Sequence, residues 1–140
     1  MNLVSIVLAA GKGTRMKSDL HKVLHPIAGR SMIEHLLASA AELAPARQVV
    51  ITGHGREQLE AALGARVDYA VQEPQLGTAH AVLQAQEALA DFAGDVLVLY
   101  ADVPFVSAAT MRAMIARLHD GDAPAVVVLG FEPADTLQYG

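Results

Sequence analysis

The residues best suited to chemistry stand directly behind the first apolar run of the chain. Gly11 and Gly13 flank Lys12, and Arg15, Lys17 and Lys22 follow. Glycine adopts backbone angles closed to other residues and lets a ligand approach the main chain, where amide N–H groups can face it. Four of the ten Lys and Arg fall in residues 12–22, against one of the fifteen Asp and Glu, so this segment carries +3 and the remainder −8, for a net −5. A positive island on an acidic protein attracts a compact anion such as triphosphate; nucleic acid would need an extended basic surface. A surface helix N-terminus offers an anion only about 0.3–1 kcal/mol. A unit charge about 4 Å away is worth on the order of 4 kcal/mol before desolvation. Arg15 and Lys22 are therefore expected to dominate binding, with the glycines supplying access and Lys12 and Lys17 secondary.

A Gly-x-Gly by itself is most simply a tight turn, and two familiar phosphate loops do not fit. The dinucleotide fingerprint requires a third glycine where Met16 stands and an acidic residue about 20 positions later, where the chain reads Thr52-Gly53-His54. The P-loop spacing is also absent. Asp102 stands just beyond the apolar run 96–100, where it can either cap a loop or share a hard cation with substrate phosphates. Gln72 and Gln75 offer amide groups to a base, but an amide that flips suits uracil or cytosine equally, so the side chain alone does not choose. No Ser/His/Asp set is evident. His21 and His25 are four apart, yet Pro26 and the loop setting argue against a helical zinc pair; His54 and His80 read as hydrogen-bonded structural residues.

Positioning these groups requires a scaffold. Apolar runs at 3–8, 48–52, 66–71, 96–100 and 125–130 are continuous rather than alternating, the pattern of strands buried on both faces of a parallel sheet. Helical stretches at 31–43, 56–63, 78–90 and 108–118 lie between them, with Ser31, Thr78 and Ser107 as N-caps or near-caps. The alternation predicts an α/β, doubly wound, mainly parallel sheet with helices on both faces. Ligands in such sheets gather at strand carboxyl ends, which is where the glycine loop, 72–78 and 100–104 all fall. At 140 residues and 53% hydrophobic content the chain is one domain or a piece of one. It has no cysteine, which excludes disulfides and Cys-ligated metals and fits a reducing compartment. No apolar stretch reaches the roughly 18 residues of a membrane span, and the apolar N-terminus lacks a basic leader. A cytoplasmic protein with neither a membrane nor a nucleic-acid partner is expected.

The motifs together resemble a known group. Leu8-Ala9-Ala10-Gly11-Lys12-Gly13-Thr14-Arg15-Met16, then Lys22-Val23-Leu24-His25-Pro26 and Ala28-Gly29, are similar to the signature of sugar-1-phosphate nucleotidyltransferases of Rossmann-like fold. Gln72-Glu73-Pro74-Gln75-Leu76-Gly77-Thr78-Ala79-His80-Ala81 and Tyr100-Ala101-Asp102-Val103-Pro104 resemble the N-terminal part of the bifunctional N-acetylglucosamine-1-phosphate uridylyltransferase/glucosamine-1-phosphate acetyltransferases. The resemblance implies transfer of UMP from UTP to N-acetylglucosamine 1-phosphate, giving UDP-N-acetylglucosamine, a precursor of cell-envelope polymers, and pyrophosphate. It implies Arg15, Lys22 and Asp102 as catalytic residues, with Asp102 binding Mg2+ at the α-phosphate. It also implies Leu8, Ala9, Ala10, Gly11, Lys22, Gln72, Gly77, Thr78, Tyr100, Ala101 and Gly140 around the nucleotide and sugar nucleotide. Guanylyl-transferring relatives carry a second glycine where Ala10 stands, which favours uridine. Two positions depart from the pattern: His21 replaces a frequent proline, and Ala101 replaces the usual glycine, a weakness if that site needs positive φ or close sugar approach.

Complete members of the group continue well past residue 140, finishing the uridylyltransferase domain and then forming a left-handed β-helix that transfers acetyl groups and makes trimer contacts. Residues 1–140 are thus expected to be the N-terminal portion of the first domain, incomplete at its C-terminus, retaining uridine binding with little or no turnover. A different nucleotidyltransferase of the same fold, acting on another alcohol phosphate or on molybdopterin, and a non-catalytic nucleotide-binding module are the alternatives.

Overall fold

The computed structural model describes residues 2–11, 13, 16–122 and 124–134. Lys12, Arg15 and Gly140 lie outside them. Strand β1 (Leu3–Leu8) is followed by a long loop containing a 3-10 turn at Lys22–Leu24 and a small antiparallel hairpin of β2 (Pro26–Ile27) and β3 (Arg30–Ser31). Next come α1 (Met32–Ala41), β4 (Arg47–Thr52), α2 (Arg56–Leu63), a 3-10 turn at Gly64–Arg66, β5 (Asp68–Val71), α3 (Thr78–Leu83), β6 (Asp95–Tyr100) and α4 (Ala108–Leu118).

The main sheet has the order β5-β4-β1-β6, and every pairing is parallel. Leu8 is in register with Ile51 of β4 on one side and Tyr100 of β6 on the other, and Thr52 pairs with Val71. The four strands therefore finish nearly level. The chain steps outward from β1 through β4 to β5 and then crosses to the opposite side of β1. That reversal is a topological switch point, and it places the loops after β1 and β6 beside each other.

The central apolar runs, β1 and β4, form strands because both their faces are covered. Leu3 and Val7 of β1 pack with Leu36 of α1, Leu59 of α2 and Met111 of α4, while Val4 and Ile6 pack with Val49, Ile51 and Ala81 on the other face. Complete burial of such an aliphatic side chain contributes about 1.5–3 kcal/mol before conformational entropy is counted. The loops at the carboxyl edge are consequently mounted on a rigid floor.

Three differences from the sequence reading have physical causes. Residues 125–130, expected as a strand, have no regular structure, and Val126, Val128 and Leu129 are exposed. A strand is completed by a neighbour, and among the described residues none pairs with this segment. The helix expected over 78–90 ends at Leu83, and the chain then tightens: Ala85 N–H donates to Val82 O and Gln86 N–H to Leu83 O, i to i+3 bonds that replace the α-helical ladder. Thr78 stands next to the cap of α3, which is Gly77, and Ser31 and Ser107 stand at the caps of α1 and α4, in keeping with the sequence reading. The hairpin was not anticipated. Its two-residue turn, Ala28-Gly29, has positive φ at both positions, as a tight hairpin with right-handed strand twist requires.

Candidate active site

Three turns meet at the carboxyl edge of the sheet around a cleft of about 860 Å³. Leu8, Ala10 and Gly11 contribute from the end of β1, and Lys22 from the 3-10 turn. Gln72, Gly77 and Thr78 enter from the β5–α3 connection, and Tyr100 and Asp102 from the end of β6. The predicted residues that are described are thus gathered in one place, except that Ala9 and Ala101 lie beneath the cleft. Both are buried, and their N–H groups continue the strand ladders, Ala9 to Ile51 O at 2.9 Å and Ala101 to Leu8 O at 3.1 Å. Ala101 does not have positive φ, and its methyl group belongs to the core with Ala108 and Met111; alanine is conformationally unstrained there.

Lys22 Nζ donates to Asp102 Oδ2 at 2.7 Å, across 80 residues of sequence. The side chains remain 36% and 42% exposed, so the pair contributes little to stability, of the order of 0–1 kcal/mol, and both groups are accessible to a ligand. Gly13, at φ +56°, is what allows Lys22 to lie so close to the loop: a Cβ at position 13 would stand 2.6 Å from Lys22 Cβ.

His21 braces Lys22 from behind. Its Nδ1 accepts from Val23 N–H at 3.4 Å, capping the 3-10 turn that Lys22 begins, and its own N–H donates to Gln58 Oε1 at 2.8 Å. Gln58 Nε2 in turn donates to Asp19 O at 2.8 Å, so one side chain of α2 ties down both ends of the segment before Lys22. The imidazole is buried against Gly55, where an added Cβ would approach it to 3.0 Å. Burial first, and then the neighbouring His54, hold its pKa below the ordinary value of 6.5. The sequence marks His21 as unusual, but nothing in it points to Gln58, 37 residues away.

The β5–α3 end is held differently. Gln72 is almost fully buried; its N–H donates to Thr52 O, and its side-chain Nε2 lies 2.9 Å from Gly77 O and 3.2 Å from His80 Nδ1. Gln75 Nε2 donates to Ala10 O, joining this loop to the end of β1. His80 also meets Gln84, whose Nε2 donates to His80 O at 2.9 Å. The reading of His80 as a hydrogen-bonded residue agrees with this placement; its contact with Gln72 is the part that sequence spacing does not reveal.

Among the described residues the arrangement offers an exposed cation, Lys22, and a carboxylate, Asp102, at one end and fixed amides at the other. Among the described residues there is no group of three or more His, Asp or Glu able to hold a metal unaided. Residues 5–134 match the family described as MobA-like NTP transferase domain.

The chain belongs to this family.

Over 138 residues it is 78% identical to the bifunctional protein GlmU of Novosphingobium aromaticivorans and 70% identical to that of Sphingopyxis alaskensis. Each match covers 99% of this chain and 31% of the relative, so the chain spans about a third of the length of these proteins. Among solved structures, a nucleotidyl transferase from Methanothermobacter, Mth528, superposes with a TM-score of 0.69 at 27% identity, over 82% of this chain and 57% of that one. The predicted Rossmann-like nucleotidyltransferase fold and the resemblance to the bifunctional group are both borne out. No helix among the described residues is long and apolar enough to cross a membrane.

Proposed function

We propose that the cleft binds UTP and serves the transfer of UMP to N-acetylglucosamine 1-phosphate, releasing pyrophosphate. The observation that carries this reading is the convergence of the turns after β1, β5 and β6 on one cleft, with Lys22 and Asp102 in contact at one end and Gln72 at the other. The motif resemblance supplies the reaction, and the likeness to GlmU proteins supports it. The base lies against Ala10, Gly11 and Gln72, with Gly77 and Thr78 beside it, and the triphosphate extends toward Lys22, with Arg15 assigned to the same phosphates. Tyr100, Ala101 and Gly140 are assigned to the sugar-nucleotide side.

A phosphate oxygen of the sugar 1-phosphate attacks the α-phosphorus of UTP in line, forming one P–O bond as the bond to the β-phosphate oxygen breaks and pyrophosphate leaves. Lys22 and Arg15 balance charge accumulating on the nonbridging and leaving oxygens without a covalent enzyme intermediate. Asp102 would serve Mg2+ as a protein ligand with phosphates and water supplying the rest, consistent with an accessible carboxylate that is not part of a group of three or more protein ligands among the described residues. When bound, the ion supplies further charge neutralisation at the α-phosphate.

Calorimetric titration of the chain with UTP, with and without Mg2+, tests the reading. Saturable binding strengthened by Mg2+ is expected, and absence of UTP binding under both conditions refutes it. Pyrophosphate release on adding N-acetylglucosamine 1-phosphate, but not on adding unphosphorylated N-acetylglucosamine, tests the acceptor.

A further inference from the structure

We propose that His80 is a specificity-determining residue: by accepting a hydrogen from the Gln72 amide, it fixes that amide in the orientation that selects uracil over cytosine. The inference rests on the UTP reading above and adds the means by which the base is chosen.

A freely flipping glutamine presents either its oxygen or its nitrogen to a base. Gln72 is not free to do so. Its side-chain nitrogen faces Gly77 O at 2.9 Å, and a carbonyl oxygen only accepts, so the NH2 end must lie on that side. His80 Nδ1 stands 3.2 Å from the same nitrogen and accepts the second amide hydrogen when the imidazole proton resides on Nε2. The amide orientation rests on Gly77 O, not on the other ring nitrogen: Gln84 Nε2 gives one hydrogen to His80 O at 2.9 Å and lies 3.3 Å from His80 Nε2, a contact that admits a proton on Nε2 only when the second Gln84 hydrogen turns away from the ring. Both amide hydrogens of Gln72 are then committed within the protein, leaving Oε1 as the polar atom its side chain can offer a ligand in the cleft that the residue lines.

An acceptor in that position requires a donor on the base. Uracil presents N3–H flanked by two carbonyl oxygens; cytosine presents a bare N3 lone pair in the same place. Oxygen facing N3–H gives a hydrogen bond, whereas oxygen facing the cytosine lone pair leaves two acceptors opposed in a site where Gln72 is nearly excluded from water. The burial of Gln72 matters because water cannot readily repair the mismatch. His80 touches the amide rather than the base, so it acts as a positioning residue.

The test is the ratio of UTP to CTP affinity, measured by titration in Mg2+ for the unaltered chain and for H80N, H80L and H80K, with folding checked by circular dichroism. The unaltered chain is expected to favour UTP. H80L removes the acceptor and should lower the ratio about 3- to 10-fold, the scale of one neutral hydrogen bond. H80K places only donors beside the amide and should lower it further. H80N restores an acceptor and should hold the ratio within about 3-fold of the original. An unchanged ratio in H80L and H80K, with both nucleotides weakened equally, assigns His80 a merely structural role and overturns the inference while leaving the UTP site intact. Tighter binding of CTP than UTP by the unaltered chain overturns it as well. Binding of neither nucleotide removes the UTP reading itself and the inference with it.

Discussion

Gln72, at the β5 end of the cleft, is 5% exposed and has its amide nitrogen committed to Gly77 and His80, whereas Lys22 and Asp102, at the β6 end, keep more than a third of their side-chain surface in water. The two ends therefore use different physics. Buried, directional hydrogen bonds discriminate between ligands because an unmatched polar atom has no solvent to turn to. Exposed charges attract any anion of suitable size and can exchange one partner for another at small cost. Selectivity is expected from the first end, and affinity for the triphosphate, with stabilisation of the reacting phosphates, from the second.

The sharpest way to break this division is Asp102→Ala. Losing the one carboxylate expected to meet Mg2+ should remove the metal-dependent part of UTP affinity. Where pyrophosphate release is measured, it should reduce the rate roughly 100-fold or more, the scale of losing one charge-stabilising group. The UTP-to-CTP ratio should stay where it was. Retention of Mg2+-enhanced binding would take Asp102 out of the metal site, and a changed base ratio would show that the two ends are not independent.

Lys22→Met keeps the length of the side chain and removes its charge. UTP binding should weaken by about 10- to 100-fold, as expected for a hydrogen bond to a charged group, while thermal stability changes by less than about 1 kcal/mol because the pair with Asp102 is exposed. Calorimetry and a melting curve on the same sample separate these quantities. A large loss of stability with little loss of affinity would make the ion pair structural.

Gln58→Leu probes the support of the charged end from outside the cleft. It deprives the His21 N–H of its acceptor and Asp19 O of its donor, at a cost of about 1 kcal/mol. UTP affinity should fall only a few-fold, with the base ratio unchanged. A loss as large as that of Lys22→Met would mean that Gln58 does more than hold the loop.

These supports mark the boundary of what sequence reading reaches. β1 and β4 were legible because a strand buried on both faces writes an unbroken apolar run, β5 and β6 because enough apolar character survives in strands beside them, and the cleft was legible because strand ends in a parallel sheet collect on one edge. The segment 125–130 has the same local signature without forming a strand, since apolar character specifies a preference for burial and not the presence of a partner. Residues 84–90 look helical for a related reason: helix propensity does not distinguish an α-helical ladder from the tighter i to i+3 bonds found there. At the site, Lys22, Asp102 and Gln72 were visible as residue types near turns. The contacts of Gln58 with His21 and of His80 with Gln72 depend on three-dimensional proximity, and for Gln58 no local spacing encodes it.

The smallest effect concerns His21, which links the loop to pH. Burial and His54 lower its pKa in the folded chain, so below about 6.5 the unfolded chain binds more protons than the folded one. Stability is fully present above that value and declines as pH falls through the lower, folded-state pKa. Glu34 is also lowered, by Ser31 first and then by Arg66, but from 4.5, so its contribution is lost in a more acidic window. Melting temperatures between pH 7.5 and 5.5 therefore separate the two. His21→Asn keeps a side-chain acceptor that can serve the Val23 N–H but does not titrate, so its melting temperature should decline less steeply over this interval than that of the unaltered chain. The two proteins differ only at position 21, which leaves the difference in slope to that residue. Equal slopes would mean that protonation of His21 does not disturb the fold, and the imidazole would then be only a spacer between α2 and the Lys22 turn.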